Sequence, residues 1–223
     1  MTQLFNQKTI FLLTLLCFVA FICPAAKQKQ ILFTEKKLAQ IEKKYGKKNT
    51  KRFYAWRKLV QQHQNKSEQE KLKLVNDFFN SQIRWVSDKK LWKQTDYWAT
   101  PIETLLKKAG DCEDFTIAKY FTLLALGVPV KRLQITYVKA LKFNQAHMVL
   151  TYVKTKRSEP LVLDNINKKI LKGSKRKDLK PVYSFNGEGM WLAGSKKTGK
   201  KVGSSSRIRL WTDLNKRMKK ELI

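Results

Sequence analysis

From Ile31 to about Gln82 the apolar residues recur at three- and four-residue intervals, the spacing of helices that bury one face. Leu38, Ile41 and Tyr45 make one stripe, with Thr34 placed to cap it and Gly46 to end it. Phe53, Trp56, Leu59 and Val60 make a second. Ser67 and Glu70 have the spacing of a capping box and open a third helix through Leu74, Val75, Phe78 and Phe79. Thr100-Pro101-Ile102-Glu103 is another helix start: the threonine can cap, the proline needs no donor in the first turn, and the glutamate can reach back to the cap N–H. Leu105 and Leu106 follow, and Ala109-Gly110 is expected to stop that helix. A further helix is expected to begin at Asp111 or Cys112, run through Phe115, Ala118, Tyr120, Phe121 and Leu124, and end at Gly127-Val128-Pro129.

Past Pro129 the period changes to two. Leu133 to Val138, His147 to Val153 and Leu161 to Leu163 read as strands. Val182 to Phe185 and Met190 to Ala193 read as two more, with Asn186 to Gly189 as the turn between them. Lys196 to Arg207, rich in Lys, Gly and Ser, reads as an exposed mobile loop, and Trp211 to Leu222 as a closing helix. There is no internal repeat. Helices followed by an antiparallel sheet predict an α+β architecture, a single domain over residues 27–223 with its helical part at about 31–126 and its sheet part at about 130–210.

Composition supports a packed core, since 43% of the 223 residues are apolar and they include 12 Phe, 7 Tyr and 6 Trp. Residues 1–26 read as an export signal. Lys8 is the only charged side chain there, residues 9–22 form an apolar run of 14, and Cys23-Pro24-Ala25-Ala26 offers small residues ahead of the polar Lys27. The run is short for a membrane span of roughly 20 residues, so cleavage is expected, with an uncleaved anchor as the alternative. Cleavage would remove Cys17 and Cys23, leave Cys112 as the sole cysteine and exclude an internal disulfide.

The net charge of +30 would suggest nucleic acid in a cytosolic protein. Export and the lack of any nucleic-acid motif argue against that. Anionic lipid headgroups, an acidic protein, or no specific partner remain. Residues 76–126, with seven basic and seven acidic side chains, are neutral within this very basic chain, so that stretch has a use for carboxylates.

Within it lies Gly110-Asp111-Cys112-Glu113-Asp114-Phe115. A nucleophilic cysteine reacts as its thiolate, which a helix N-terminus favours; the alternative for Cys112 is a small buried hydrophobe. A base is required, and only His63 and His147 are available. His63 sits in a polar helix end, Gln61-Gln62-His63-Gln64-Asn65, whereas His147 opens a strand. Asp164, 17 residues on, ends the next strand and could orient the imidazole, or could simply start an Asp-Asn turn with Asn165. Oxyanion donors would come from the Cys112 N–H or from the side chain of Gln94 or Trp98.

Over roughly Asn76 to Ile170 the chain resembles the bacterial transglutaminase-like cysteine proteinases, the LapG-type periplasmic proteases. The likeness is carried by Asp96-Tyr97-Trp98-Ala99-Thr100-Pro101-Ile102-Glu103, by the Gly110–Phe115 segment, by Leu126-Gly127-Val128-Pro129, by Ala146-His147-Met148-Val149 and by Leu163-Asp164-Asn165. The resemblance implies a papain-like, transglutaminase-like α+β core in which the catalytic Cys, at a helix N-terminus, packs on an antiparallel sheet bearing His and Asp. It implies Cys112, His147 and Asp164 as the catalytic residues of a periplasmic cysteine endopeptidase. It also implies Ca²⁺ held by the acidic residues flanking the cysteine, here Asp111 and Glu113, with Asp114 an additional ligand or a bystander. The implied substrate is a large RTX-type surface adhesin, cut near its N-terminus at an Ala-Ala site to disperse biofilm. The implied inhibitor is the periplasmic domain of an inner-membrane cyclic-di-GMP receptor. Rival readings are a transamidase or peptidoglycan-peptide hydrolase using the same three residues, and a non-catalytic basic module that binds membrane or a partner.

Overall fold

The computed structural model describes residues 35–155, 157–192 and 199–222. The export signal, the Thr34 cap, the Ala193 strand end and residues 196–198 of the expected loop lie outside them. The three amphipathic stripes become α1 (Glu35–Tyr45), α2 (Lys47–Gln62) and α3 (Glu68–Gln82). Leu38 and Ile41 seat α1, whereas Tyr45, expected on that stripe, is exposed at the helix end with Lys44 over its ring. Gly46 separates α1 from α2 at φ 81, a conformation that a side chain disfavours. Ser67 and Glu70 form the expected capping box at α3.

Two short elements follow, β1 (Arg84–Trp85) and α4 (Asp88–Leu91), and then α5 (Pro101–Lys107), capped by Thr100 and Glu103. The break after α5 differs from expectation. Lys108, at φ 57, ends the helix, and Ala109–Gly110 forms β2, which pairs in parallel with β1. Helix α6 (Cys112–Ala125) carries apolar side chains all round and is buried from Asp114 to Ala125, as expected of a helix enclosed by other elements. Trp56 Nε1 donates to Thr122 Oγ1 at 2.8 Å and ties α2 to α6.

The second half is one antiparallel sheet, in the order β6-β5-β4-β3-β7-β8-β9. Its strands are β3 (Leu133–Ala140), β4 (Gln145–Tyr152), β5 (Leu161–Leu163), β6 (Leu171–Lys172), β7 (Leu179–Asn186), β8 (Gly189–Leu192) and β9 (Lys200–Gly203). Strand β9 corrects the expectation of a mobile loop over Lys196 to Arg207. Its sequence has no strand period, and its ladder partners are supplied by β8, through Met190, Trp191 and Leu192. Strand β6 was likewise not foreseen, being two residues long and recognisable only by its pairing with β5. Helix α6 packs against α3 and α5 as well as against β3 and β4, so it lies between the helices and the sheet. Helix α7 (Arg209–Leu222) closes the core with Trp211, whose ring centroid is 5.3 Å from that of Phe185 and 5.7 Å from that of Phe121. Among the described residues no helix is long and apolar enough to cross a membrane.

Candidate active site

The site lies where the first turn of α6 meets β4. Gly110 permits the entry to α6, because a Cβ there would sit 2.4 Å from Asp114 Oδ2. Asp114 is buried and accepts from the Ala99 N–H at 2.8 Å and the Asp111 N–H at 3.3 Å. Both its oxygens are therefore engaged by backbone, and the Trp98–Thr100 segment is clamped to the helix start. Cys112, the first residue of α6, is half-buried. Thr116 Oγ1 is within bonding distance of both Cys112 O (2.8 Å) and Met148 O (3.1 Å), which pins this turn to β4 beside His147.

His147 is the third residue of β4, opposite Val138 of β3, and not the opening residue at a sheet edge that its sequence suggested. The ring is 4% exposed. Its Nε2 lies 2.8 Å from Oδ1 of Asp164, which stands just beyond the three-residue β5. With Nε2 committed, Nδ1 is the nitrogen left for a thiol. Burial pushes Asp164 up, but the His147 hydrogen bond and charge, the Ile166 N–H and Arg176 together hold it well below the usual carboxylate range. Cys112 and His147 line the same cleft of about 790 Å³, with Trp98, Asp111, Glu113 and Asn165. Trp98 forms part of the wall and stacks on Phe185 at 5.7 Å. Gln94 does not line the cleft: it is exposed on the bend after α4. His63 bonds Leu59 O at 2.7 Å, at the far end of α2.

The electrostatics around the thiol are adverse. Cys112 Sγ donates to Glu113 Oε2 at 2.9 Å, and burial, followed by Glu113 and Asp111, pushes the thiol well above its ordinary value. Asp111 is raised to about 8, by burial and then by Glu113, and Asp88 to about 7, chiefly by burial. Three overlapping groups bring donor atoms within 4.8 Å of one another: Asp111, Cys112 and Glu113; Asp88, Asp111 and Asp114; and Asp88, Asp96 and Glu113. Asp88 Oδ1 and Asp111 Oδ1 are buried with no hydrogen-bond partner. Orphaned carboxylate oxygens among crowded acids fit a hard cation that takes oxygen ligands. Asp88 and Asp96 were missed as candidates in the sequence, although both fall in the charge-neutral stretch that signalled a use for carboxylates. Arg176 and Lys119, which contact Asp164, were missed as well; a single lysine inside the apolar run of α6 was the available signal.

Residues 39–181 match the family described as bacterial transglutaminase-like cysteine proteinase, BTLCP. No curated protein matches the chain. Among solved structures, the EGTA-treated form of Legionella pneumophila LapG is 45% identical, with a TM-score of 0.75, covering 84% of this chain and 98% of that one. The calcium-bound form of the same protein is also 45% identical, with a TM-score of 0.72, covering 83% of this chain and 99% of that one. A half-buried cysteine at a helix start, an imidazole on the adjoining strand and this breadth of likeness lead to one assignment: the chain belongs to the bacterial transglutaminase-like cysteine proteinases and is a cysteine peptidase with their papain-like, transglutaminase-like α+β fold.

Proposed function

We propose that this protein is a calcium-dependent periplasmic endopeptidase that cuts the N-terminal region of a large cell-surface adhesin, with Cys112, His147 and Asp164 as its catalytic residues. The observation that carries the chemistry is the buried His147–Asp164 pair at 2.8 Å, set in a cleft that Cys112 also lines. His147 Nδ1 takes the Cys112 proton while Nε2–H stays donated to Asp164. The thiolate attacks the peptide carbonyl, and the developing oxyanion is met by the Cys112 N–H and the Trp98 indole. His147 then returns the proton to the leaving amine, and water, deprotonated by His147, hydrolyses the acyl-enzyme. Trp98 is preferred to Gln94 as the side-chain donor because only Trp98 lies on the cleft wall.

Asp88, Asp96, Asp111 and Glu113 would hold Ca²⁺, with Asp114 ordering the loop behind them. The ion supplies positive charge that offsets the carboxylates opposing thiolate formation. A calcium-bound form of the 45%-identical Legionella protein supports this reading. The apolar run at residues 9–22 supports export, and the likeness to the LapG-type proteases supports the periplasm as its destination. The adhesin substrate, biofilm dispersal and restraint by a cyclic-di-GMP receptor rest on the likeness to the LapG-type proteases. The net charge, +29 once residues 1–26 with Lys8 are removed, favours additional contact with an anionic membrane surface.

The test is incubation of the purified protein with adhesin N-terminal fragments and, separately, with muropeptides. Calcium-dependent cleavage of the fragments that is lost in Cys112→Ala supports the proposal. Turnover of muropeptides alone would transfer the assignment to peptidoglycan hydrolysis. Full biological effect of Cys112→Ala would favour a non-catalytic binding module.

A further inference from the structure

Asp164 sits at a weakly supported place in the sheet. Strand β5 has only three paired residues on the β4 side and two on the β6 side, and Asp164 lies just past its end. Ladder hydrogen bonds alone leave such a residue free to rock. Two buried cations contact it from different directions. Arg176 Nη2 donates to Oδ2 at 2.6 Å, the oxygen that His147 does not use. Lys119 Nζ donates to the Asp164 carbonyl at 3.0 Å, the same oxygen that receives Asn80 Nδ2 at 2.9 Å. Arg176 is 3% exposed and Lys119 1%.

Each cation is itself fixed. Lys119 donates to Asn76 Oδ1 and Asn80 Oδ1, both at 2.9 Å, and so joins α3 and α6 to the end of β5. Arg176 is held by Asp178 through Nε at 2.9 Å and Nη2 at 2.8 Å. Packing does not require the Lys119 charge, since a methionine of similar length would fill its site inside an apolar helix. Arg176 differs: it is the buried partner of Asp164 Oδ2, and removing one member of a buried pair is destabilising. What the two accomplish together is the immobilisation of one residue, Lys119 through the Asp164 carbonyl and Arg176 through its carboxylate.

We propose that Lys119 and Arg176 are positioning residues for the peptidase: they lock the main chain and the carboxylate of Asp164 so that His147 is held with Nδ1 toward Cys112. The inference rests on the reading of Cys112, His147 and Asp164 as the catalytic residues. A loss of orientation of this kind costs rate with little effect on the fold.

The test is the rate of Cys112 alkylation by iodoacetamide at neutral pH, in the full chain with calcium present. Mass spectrometry of the Cys112 peptide reports the site whatever the natural substrate, and Tm is measured alongside. Lys119→Met and Arg176→Met should each slow alkylation by roughly 10–100-fold at a temperature where the Tm measurement shows the variant folded, with Tm lowered in Arg176→Met because Asp164 Oδ2 loses its buried partner, and Arg176→Lys should restore part of the rate. In an Asp164→Asn background, adding Arg176→Met should cost less than about threefold more, because both changes act through one carboxylate. Rates within about twofold of wild type in both methionine variants, or full additivity with Asp164→Asn, would overturn the proposal. If Arg176→Met fails to fold, Arg176→Lys and Lys119→Met decide. An unchanged rate in Asp164→Asn alone would instead refute the underlying catalytic reading.

Discussion

Lys119→Met separates the electrostatic cost of a buried amine from the value of its hydrogen bonds. Burial lowers the Lys119 pKa from 10.5 to about 7, with the Asp164 charge pulling the other way. At ~1.36 kcal/mol per pH unit, that gap is worth about 5 kcal/mol. Because the folded pKa lies below the unfolded one, the unfolded chain binds the proton more tightly between the two values. Wild-type stability therefore carries the whole cost below pH 7 and recovers it as the pH rises toward 10.5.

Methionine has no charge to desolvate, so the variant loses this slope. Against that gain, Asn76 Oδ1 and Asn80 Oδ1 lose a donor at 2.9 Å, at about 1–3 kcal/mol each. The Asp164 carbonyl keeps Asn80. The opposing contributions are of similar size, so at pH 6 the variant should lie within about 3 kcal/mol of wild type in either direction. The pH dependence is the sharper quantity. Variant minus wild-type unfolding free energy should fall by about 3 kcal/mol between pH 6 and pH 9. Urea unfolding followed by tryptophan fluorescence at several pH values measures it, and other titrating groups cancel in the difference. Parallel stability curves across that range would refute the argument that Lys119 is a desolvated amine.

Cys112→Ala and His147→Ala should abolish proteolysis with the fold retained, His147→Ala at a lower Tm because buried Asp164 loses its partner, and Asp164→Asn should cut kcat on the order of 10³–10⁴-fold through loss of the orienting acceptor; gel-based cleavage and circular dichroism check these. EGTA should inhibit, and Ca²⁺ should restore activity better than Mg²⁺. Asp88→Asn should raise the calcium concentration needed for half-maximal activity, which a titration would read, and an unchanged midpoint would remove Asp88 from the ion site. Gly110→Ala places a Cβ 2.4 Å from Asp114 Oδ2, so it should cost about 1–3 kcal/mol in urea unfolding and slow Cys112 alkylation.

Helix starts were readable because their determinants are local. The Ser67/Glu70 and Thr100/Glu103 boxes close within three residues, and the stripes of α2 and α3 repeat every turn. The seven carboxylates of residues 76–126 pointed to that stretch before any coordinates, and the resemblance to the proteinase family singled out Asp111 and Glu113 within it. Where pairing partners are remote, the reading failed. Strand β9 exists because β8 offers it an edge, and the turn after α5 falls at Lys108 because β2 is drawn to β1.

The sequence by itself determined the longer helices and strands, the single cysteine beyond residue 26 and the residue types available for a nucleophile, a base and an acid, since all of these follow from composition and from neighbours within one turn or one strand. Only the tertiary structure decided which of them meet. Packing of α6 on β4 pins Cys112 next to the strand of His147, and the sheet order brings Asp164 to the imidazole. The same packing folds Asp88 and Asp96 toward Asp111 and Glu113 and delivers Lys119 and Arg176 to one carboxylate-bearing residue. Those encounters span long loops, and burial of a shared apolar core is what offsets the entropy of closing them.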